Sequence, residues 1–360
     1  MNTQLYLRNA LCVPVKGYNR AIIYDITRND YYFIPNQLYD KIESTKAISF
    51  DNDTISQEWK EFLLEEEVIF EIDNSDEEHL FPKLELEYDS PFNINSIIIH
   101  DTIDLKFFKW LSSLELSCIS ILFEKYNPER LENLLDIILD LEINSINIYI
   151  SEENRHFTID DFKTFRYFKR PLSIFIFKSS YIDELSVNGY KVLSIPISFK
   201  EFSKKMQPQK LQVNREMFLE SSNYHSYFNG KVYIDGKGNI KNGIYSSRSY
   251  GLLRELNEDQ FNDIILSEDF QKHWNVKKEN TLICNNCEFK FMCVDPREPI
   301  ENDMGKWYFS EECNYNPFLS LWKGESEYKT LGESGISITH TNGISIKENI
   351  LNELLEKIWD

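Results

Sequence analysis

The chain has 360 residues, enough for two or three domains, and its 42% apolar and 14% aromatic content can bury a core, so disorder is excluded by composition. A formal charge of -20 repels phosphate backbones, which argues against nucleic acid as a partner. The same charge suits either a basic peptide or, more plainly, simple solubility.

The opening residues MNTQLYLRNALCVPVKG lack the basic start and apolar run of an export signal. No apolar stretch is long enough to span a membrane. The expectation is a cytoplasmic protein without a membrane partner, a setting in which clustered cysteines point to metal or redox chemistry.

In chain order, Arg20–Ile26 and Asp30–Ile34 read as two strands rich in Ile and Tyr, joined by a polar turn at Thr27, Arg28 and Asn29. Pro35 and Asn36 stop the second strand. Helices are expected over Gln37–Glu43 and over Ser56–Glu66, the latter capped by Ser56 and striped by Trp59, Phe62 and Leu63. Val68–Ile72 returns as a strand. The acidic run Asp73–Glu78 and Pro82 read as a linker.

The next stretch alternates strand and helix. Ser96–Ile99, Cys118–Phe123, Ser145–Ile150, Leu172–Phe177 and Lys191–Ile195 are strand-like. Leu105–Leu114, Pro128–Leu141 and Ile159–Phe168 carry helical spacing, and Pro128 sits just inside its helix start. Such alternation predicts a parallel sheet or partial barrel. Further on, Lys231–Ile234 and Asn239–Lys241 flank Asp235-Gly236-Lys237-Gly238 as a hairpin. Helices are expected over Asp259–Leu266, Glu268–Trp274 and Glu348–Ile358.

Four of the six cysteines fall within thirty residues: Cys284, Cys287, Cys293 and Cys313, spaced C-x2-C-x5-C-x19-C. A two-residue gap lets two thiolates bind one centre from a single turn. Four thiolates complete either a tetrahedral zinc or an iron–sulfur cluster. Buried or disulfide-bonded thiols are the plain alternative, and spacing alone does not choose between the metals. Cys12 and Cys118 stand alone in strand-like segments and read as small buried hydrophobes. His225, between tyrosines in NYHSYFNG, reads as a packed residue, with ligand or peptide contact as the functional alternative. His79, His100, His156, His273 and His340 show no metal-like spacing. Asp295 and Arg297 are placed to pair beside the cysteines, and Arg297 also to donate to a cluster sulfur or a peptide carboxylate. Neither a phosphate-binding glycine loop nor a nucleophile elbow occurs.

The C-x2-C-x5-C run with its later cysteine resembles the SPASM domain that follows radical S-adenosylmethionine domains in peptide-modifying enzymes. The wider string resembles SPASM-domain peptide maturases of grasp-with-spasm systems over most of the chain. It comprises CEFKFMCVDPREP, Trp307–Tyr308, CNYNPFLSLW and the N-terminal CVPVKGYNRAIIYDITRNDYYFIPN.

The resemblance implies three parts. They are a winged-helix-like peptide-recognition domain over 1–90, a degenerate radical-SAM-type partial (β/α) barrel over 91–210, and a SPASM domain over 211–360. It implies a precursor peptide and an ATP-grasp ligase as partners, in the maturation of a ribosomally synthesised, post-translationally modified peptide. In such recognition modules an exposed strand pairs with the leader peptide. Tyr31, Tyr32 and Phe33 are the candidate edge residues, with ordinary strand packing as the alternative.

Two departures limit the likeness. The C-x3-C-x2-C motif that would bind S-adenosylmethionine through its cluster does not occur, and Ser96–Leu116 contains no cysteine. Asn242 and Gly243 stand where a further upstream SPASM cysteine is usual. The expectation is one [4Fe-4S] cluster, or a zinc in its place, held by Cys284, Cys287, Cys293 and Cys313, with no S-adenosylmethionine cluster. With all four positions filled by protein, its role is structural or electron transfer. The rival readings are a zinc-stabilised adaptor and an enzyme of unidentified redox chemistry.

Overall fold

The computed structural model describes residues 4–44, 46–50, 54–80, 84–151, 157–158, 161–162, 171–178, 185–187, 190–204, 206, 208–339 and 343–359. The chain is a mixed α/β protein built around one mostly parallel sheet.

The N-terminal part contains β1 (Leu5–Arg8), β2 (Cys12–Lys16), β3 (Ala21–Asp25) and β4 (Asp30–Ile34), then α1 (Asn36–Ile42), α2 (Thr54–Glu65) and β5 (Ile69–Ile72). β2, β3 and β4 form an antiparallel sheet in that order, and β1 pairs antiparallel with β5. Asn29 turns the β3–β4 hairpin with φ 58°, a left-handed conformation that Asn tolerates. Asp25 holds the same turn by accepting the Thr27 and Arg28 N–H groups. Alternation along the strands gives the sheet two faces. Ala21, Ile23 and Ile34 pack with Leu38, Ile42 and Leu63 of the helices. Val15, Ile22 and Tyr24 pack with Phe218, Phe289, Phe291, Met292 and Tyr315, far along the chain.

The middle part supplies β6 (Ile94–His100), α3 (Leu105–Trp110), β7 (Leu116–Phe123), α4 (Pro128–Leu139), β8 (Ser145–Ile150), β9 (Leu172–Phe177), β10 (Leu185–Val187), β11 (Tyr190–Ile195) and α5 (Phe199–Lys204). Then come α6 (Arg215–Asn223), β12 (Lys231–Ile234), β13 (Ile240–Lys241) and α7 (Glu258–Ile265). The sheet order is β10-β11-β9-β8-β7-β6-β12-β13. β6, β7, β8, β9 and β11 lie side by side and parallel, and β12 joins parallel on the far side of β6. The antiparallel strands β10 and β13 close the two edges.

One face of this sheet is a continuous Ile, Leu and Phe layer. Ile97, Ile119, Ile148 and Ile174 meet Phe107 and Phe108 of α3 and Leu131, Leu134 and Ile138 of α4. Asn127 caps α4, with Pro128 at its first position.

The last part consists of short pairs: β14 (Ile300–Glu301) with β15 (Trp307–Tyr308), β16 (Tyr315–Asn316) with β17 (Leu321–Trp322), and β18 (Ile336–Thr339) with β19 (Gly343–Ile346). α8 (Glu348–Trp359) follows. No helix among the described residues is long and apolar enough to cross a membrane.

Several expectations are adjusted. A boundary at residue 210 cuts through the main core, because β12 is an inner strand of the sheet and Phe228, Phe261 and Phe270 belong to the same apolar layer. α2 starts at Thr54, so Ser56 lies inside the helix rather than capping it. Glu268–Trp274 forms only a 3-10 turn over Phe270–His273. Part of the acidic linker, Ser75–Leu80, is also a 3-10 turn, while Pro82 lies outside the described residues. Of the expected helix Ile159–Phe168, only Asp161 and Phe162 are described.

Candidate metal centre

The four cysteines reach one place from three segments. Cys284 and Cys287 bracket a 3-10 turn closed by the Cys287 N–H donating to the Cys284 carbonyl at 3.0 Å. Ile283 enters that turn with φ 71°, a conformation costly for a β-branched residue. Cys293 bridges to Leu211, and its carbonyl accepts the Ser226 hydroxyl at 2.7 Å. Cys313 lies two residues before β16. All four are free, partly exposed thiols, and all four line one cavity of about 360 Å³. Among the described residues, no three His, Cys, Asp or Glu side chains converge closely enough to hold a single metal ion.

A buried ionic triad stands against this ring. The Lys278 ammonium contacts Asp295 Oδ2 at 2.6 Å, with both side chains at most 1% exposed. Arg297 donates to the same carboxylate through Nε at 2.9 Å and through Nη2 at 2.6 Å. Both cations also lie over the Phe309 ring, at 4.5 and 4.3 Å from its centroid. The expected Asp295–Arg297 pair is present, and Lys278 is a third member that no spacing in the sequence announces. One carboxylate against two cations leaves the triad net positive beside four groups that become anionic when they bind metal. Burial pushes the Cys284, Cys287 and Cys293 thiols up, while Lys278 draws Cys284 and Cys293, and Arg297 draws Cys284, back toward the thiolate. The donor set fits a four-thiolate centre: four soft sulfur ligands, a shared cavity and compensating positive charge.

Behind the cysteine loop lies the N-terminal sheet. Glu288, next to Cys287 and fully buried, takes the Arg20 Nε–H at 2.8 Å and the Tyr315 hydroxyl. The Tyr24 hydroxyl donates to the Glu288 carbonyl at 3.3 Å and accepts the Phe291 N–H at 3.2 Å. Lys290 Nζ donates to the Lys16 carbonyl at 2.8 Å. The cysteine loop is thus fastened to β2 and β3 by polar side chains from both sides. Sequence reasoning missed Glu288 and Arg20. The available signal was an acidic residue wedged between apolar ones in CEFKFMC, since a buried carboxylate requires a cation.

Tyr31, Tyr32 and Phe33 lie on β4. Among the described residues β4 pairs only with β3, so its other edge is open. The expected edge position is therefore observed, and packing is observed as well. Tyr31 and Phe33 place their rings 5.9 and 6.1 Å from Phe289. Arg20 lies 3.6 Å from the centroid of the Phe33 ring.

The remaining candidates separate from this site. His225 is fully buried; its Nδ1 accepts the Tyr227 N–H at 3.2 Å, and Nε2 has no partner among the described residues. Burial, followed by the nearby Lys278 charge, holds its pKa well down. Cys12 is buried as expected. Cys118 is not: it is partly exposed on the polar face of the parallel sheet, where its sulfur accepts Asn147 Nδ2 at 3.3 Å. His156 and His340 lie outside the described residues. No protein-family model matches the chain, and no curated protein matches it.

Proposed function

We propose that this chain is a maturation factor for a ribosomally synthesised, post-translationally modified peptide. It binds the precursor leader and acts with an ATP-grasp ligase. In this reading residues 1–90 are a winged-helix-like recognition domain, the parallel sheet is a degenerate radical-SAM-type barrel, and the C-terminal part is a SPASM domain. The observation that carries the reading is the single cavity lined by Cys284, Cys287, Cys293 and Cys313, whose wall runs through Phe289 to the open strand β4.

One [4Fe-4S] cluster is the group these cysteines suit best. A single zinc sits about 2.3 Å from each sulfur and draws four thiolates to one point. A cluster takes its thiolates around a larger core of irons and sulfides, and the four cysteines share one cavity of about 360 Å³. Such a cluster supplies electron transfer or a rigid cross-link when bound. Lys278 and Arg297 balance its charge, and Glu288 with Tyr24 ties its loop to the peptide-binding sheet. β4 offers main-chain hydrogen bonds to an added strand.

The test is leader binding by the anaerobically purified full-length protein, followed by ligase reactions with and without it. Leader binding together with faster or altered ligase products supports the reading. No binding and unchanged products refute it.

A further inference from the structure

The open edge of β4 lies between two unlike walls. Tyr32 and Ile34 face the helices, and Tyr31 and Phe33 face the cysteine loop. On the helix side the Tyr32 ring meets Phe62 at 5.6 Å, Phe62 meets Trp59 at 5.7 Å, and the Tyr32 hydroxyl donates to Glu66 at 2.7 Å. On the loop side Phe33 is 43% exposed, an unusual degree for a ring of that size packed on another aromatic. Beyond its pairing with β3, β4 has no second strand neighbour among the described residues, and the Tyr31 N–H donates to the Asp30 side chain at 2.8 Å.

Charge around the edge is one-sided. Asp30 is exposed at the start of β4, and Glu65, Glu66 and Glu67 follow one another at the end of α2. The nearby cations are already engaged, Arg28 with Asp25 and Glu67 and Arg20 with Glu288. An incoming strand therefore meets aromatic rings on both walls and, on the helix side, Glu65 and Glu66, which have no ion-pair partner among the described residues.

We propose that this edge takes an extended basic segment with apolar side chains at alternate positions. This deepens the peptide-binding reading above and rests on it. The apolar side chains rest on Phe33 and Phe289, the second of which also lines the cysteine cavity. The intervening lysines or arginines lay their stems along Tyr32 and Phe62 and bring their charges to Glu65 and Glu66. Period-two alternation sorts the two kinds of side chain onto the two walls.

Three synthetic twelve-residue peptides test this on the full-length protein: alternating Leu and Lys, alternating Leu and Glu, and Lys alternating with Gly and Ser. Fluorescence anisotropy gives affinity, and hydrogen exchange reports on residues 30–34. The Leu/Lys peptide is expected to protect those amides, to bind at least tenfold tighter than the other two, and to weaken with salt. Phe33→Ser is expected to weaken it about tenfold, and Glu66→Gln several-fold with folding intact. Equal or tighter binding of the Leu/Glu peptide with protection at 30–34 overturns the basic chemistry while β4 stands as a peptide edge. Leu/Lys binding without protection at 30–34 overturns the proposal. The precursor leader, examined the same way, then decides whether β4 binds peptide at all.

Discussion

At the scale of single residues, buried polar groups carry the most energy. Asp295 is fully buried and, among the described residues, is the only carboxylate in an ion pair with Lys278 and Arg297. Asp295→Asn leaves two buried cations without a counter-charge, a change expected to destabilise the protein by about 3–5 kcal/mol, readable by urea unfolding. Tyr24→Phe removes the acceptor of the Phe291 N–H and the donor to the Glu288 carbonyl. A buried donor left unmatched costs about 1–3 kcal/mol, and the loss is expected in the same assay.

His225 makes a pH prediction. Its folded pKa is depressed by burial, so the unfolded chain binds a proton first as pH falls. Stability is unaffected well above the unfolded value of about 6.5 and declines below it, by about 1 kcal/mol between pH 6.5 and 5.5. His100 and His273 are depressed too and add to the wild-type slope. His225→Leu is expected to remove one histidine's share, measured as the difference between the two pH profiles of unfolding.

At the scale of elements, strands made of β-branched and aromatic runs were legible in the sequence. Asp30–Ile34, Ser145–Ile150 and Leu172–Phe177 occur with the expected bounds, because their side chains suit a pleated, half-buried surface. β1 and β10 were not legible. β1 is four residues long and owes its existence to β5, more than sixty residues away. The expected helix at Glu268–Trp274 shrank to a 3-10 turn, since Trp274 and Phe270 answer to the main core rather than to a helical stripe. Gly17 shows how closely the hairpin sits on the cysteine loop. A Cβ there would lie 2.6 Å from the Arg20 carbonyl oxygen and 2.9 Å from the Glu288 carboxylate. Gly17→Ala is expected to cost about 1–3 kcal/mol and to loosen this contact, visible as faster hydrogen exchange in residues 284–293.

At the scale of the whole molecule, the cysteine cluster was legible because its ligands are close in sequence, and its surroundings were not. Arg20 reaches Glu288 from 268 residues away, and Lys278 and Glu288, though near the cysteines in sequence, meet their ion-pair partners only in the folded chain. The division of the chain was blurred for the same reason. β12 follows the middle region in sequence yet lies against β6 inside the sheet. A chain ending at residue 210 loses β12, Phe228 and Phe261 from the core and is expected to be insoluble on expression, where a separable barrel would stay soluble. The cavity is lined by the cysteine loop and the C-terminal strand pairs, and the N-terminal sheet is fastened to that loop through Arg20, Tyr24 and Lys16, which is the basis for assigning the cavity the central role.

The most direct test of that role is the metal content of anaerobically purified protein, with iron, sulfide and zinc assayed beside the visible spectrum. The account predicts about four irons and four sulfides per chain, with both lost in Cys284→Ala and in Cys313→Ala. One zinc per chain and no iron would contradict it.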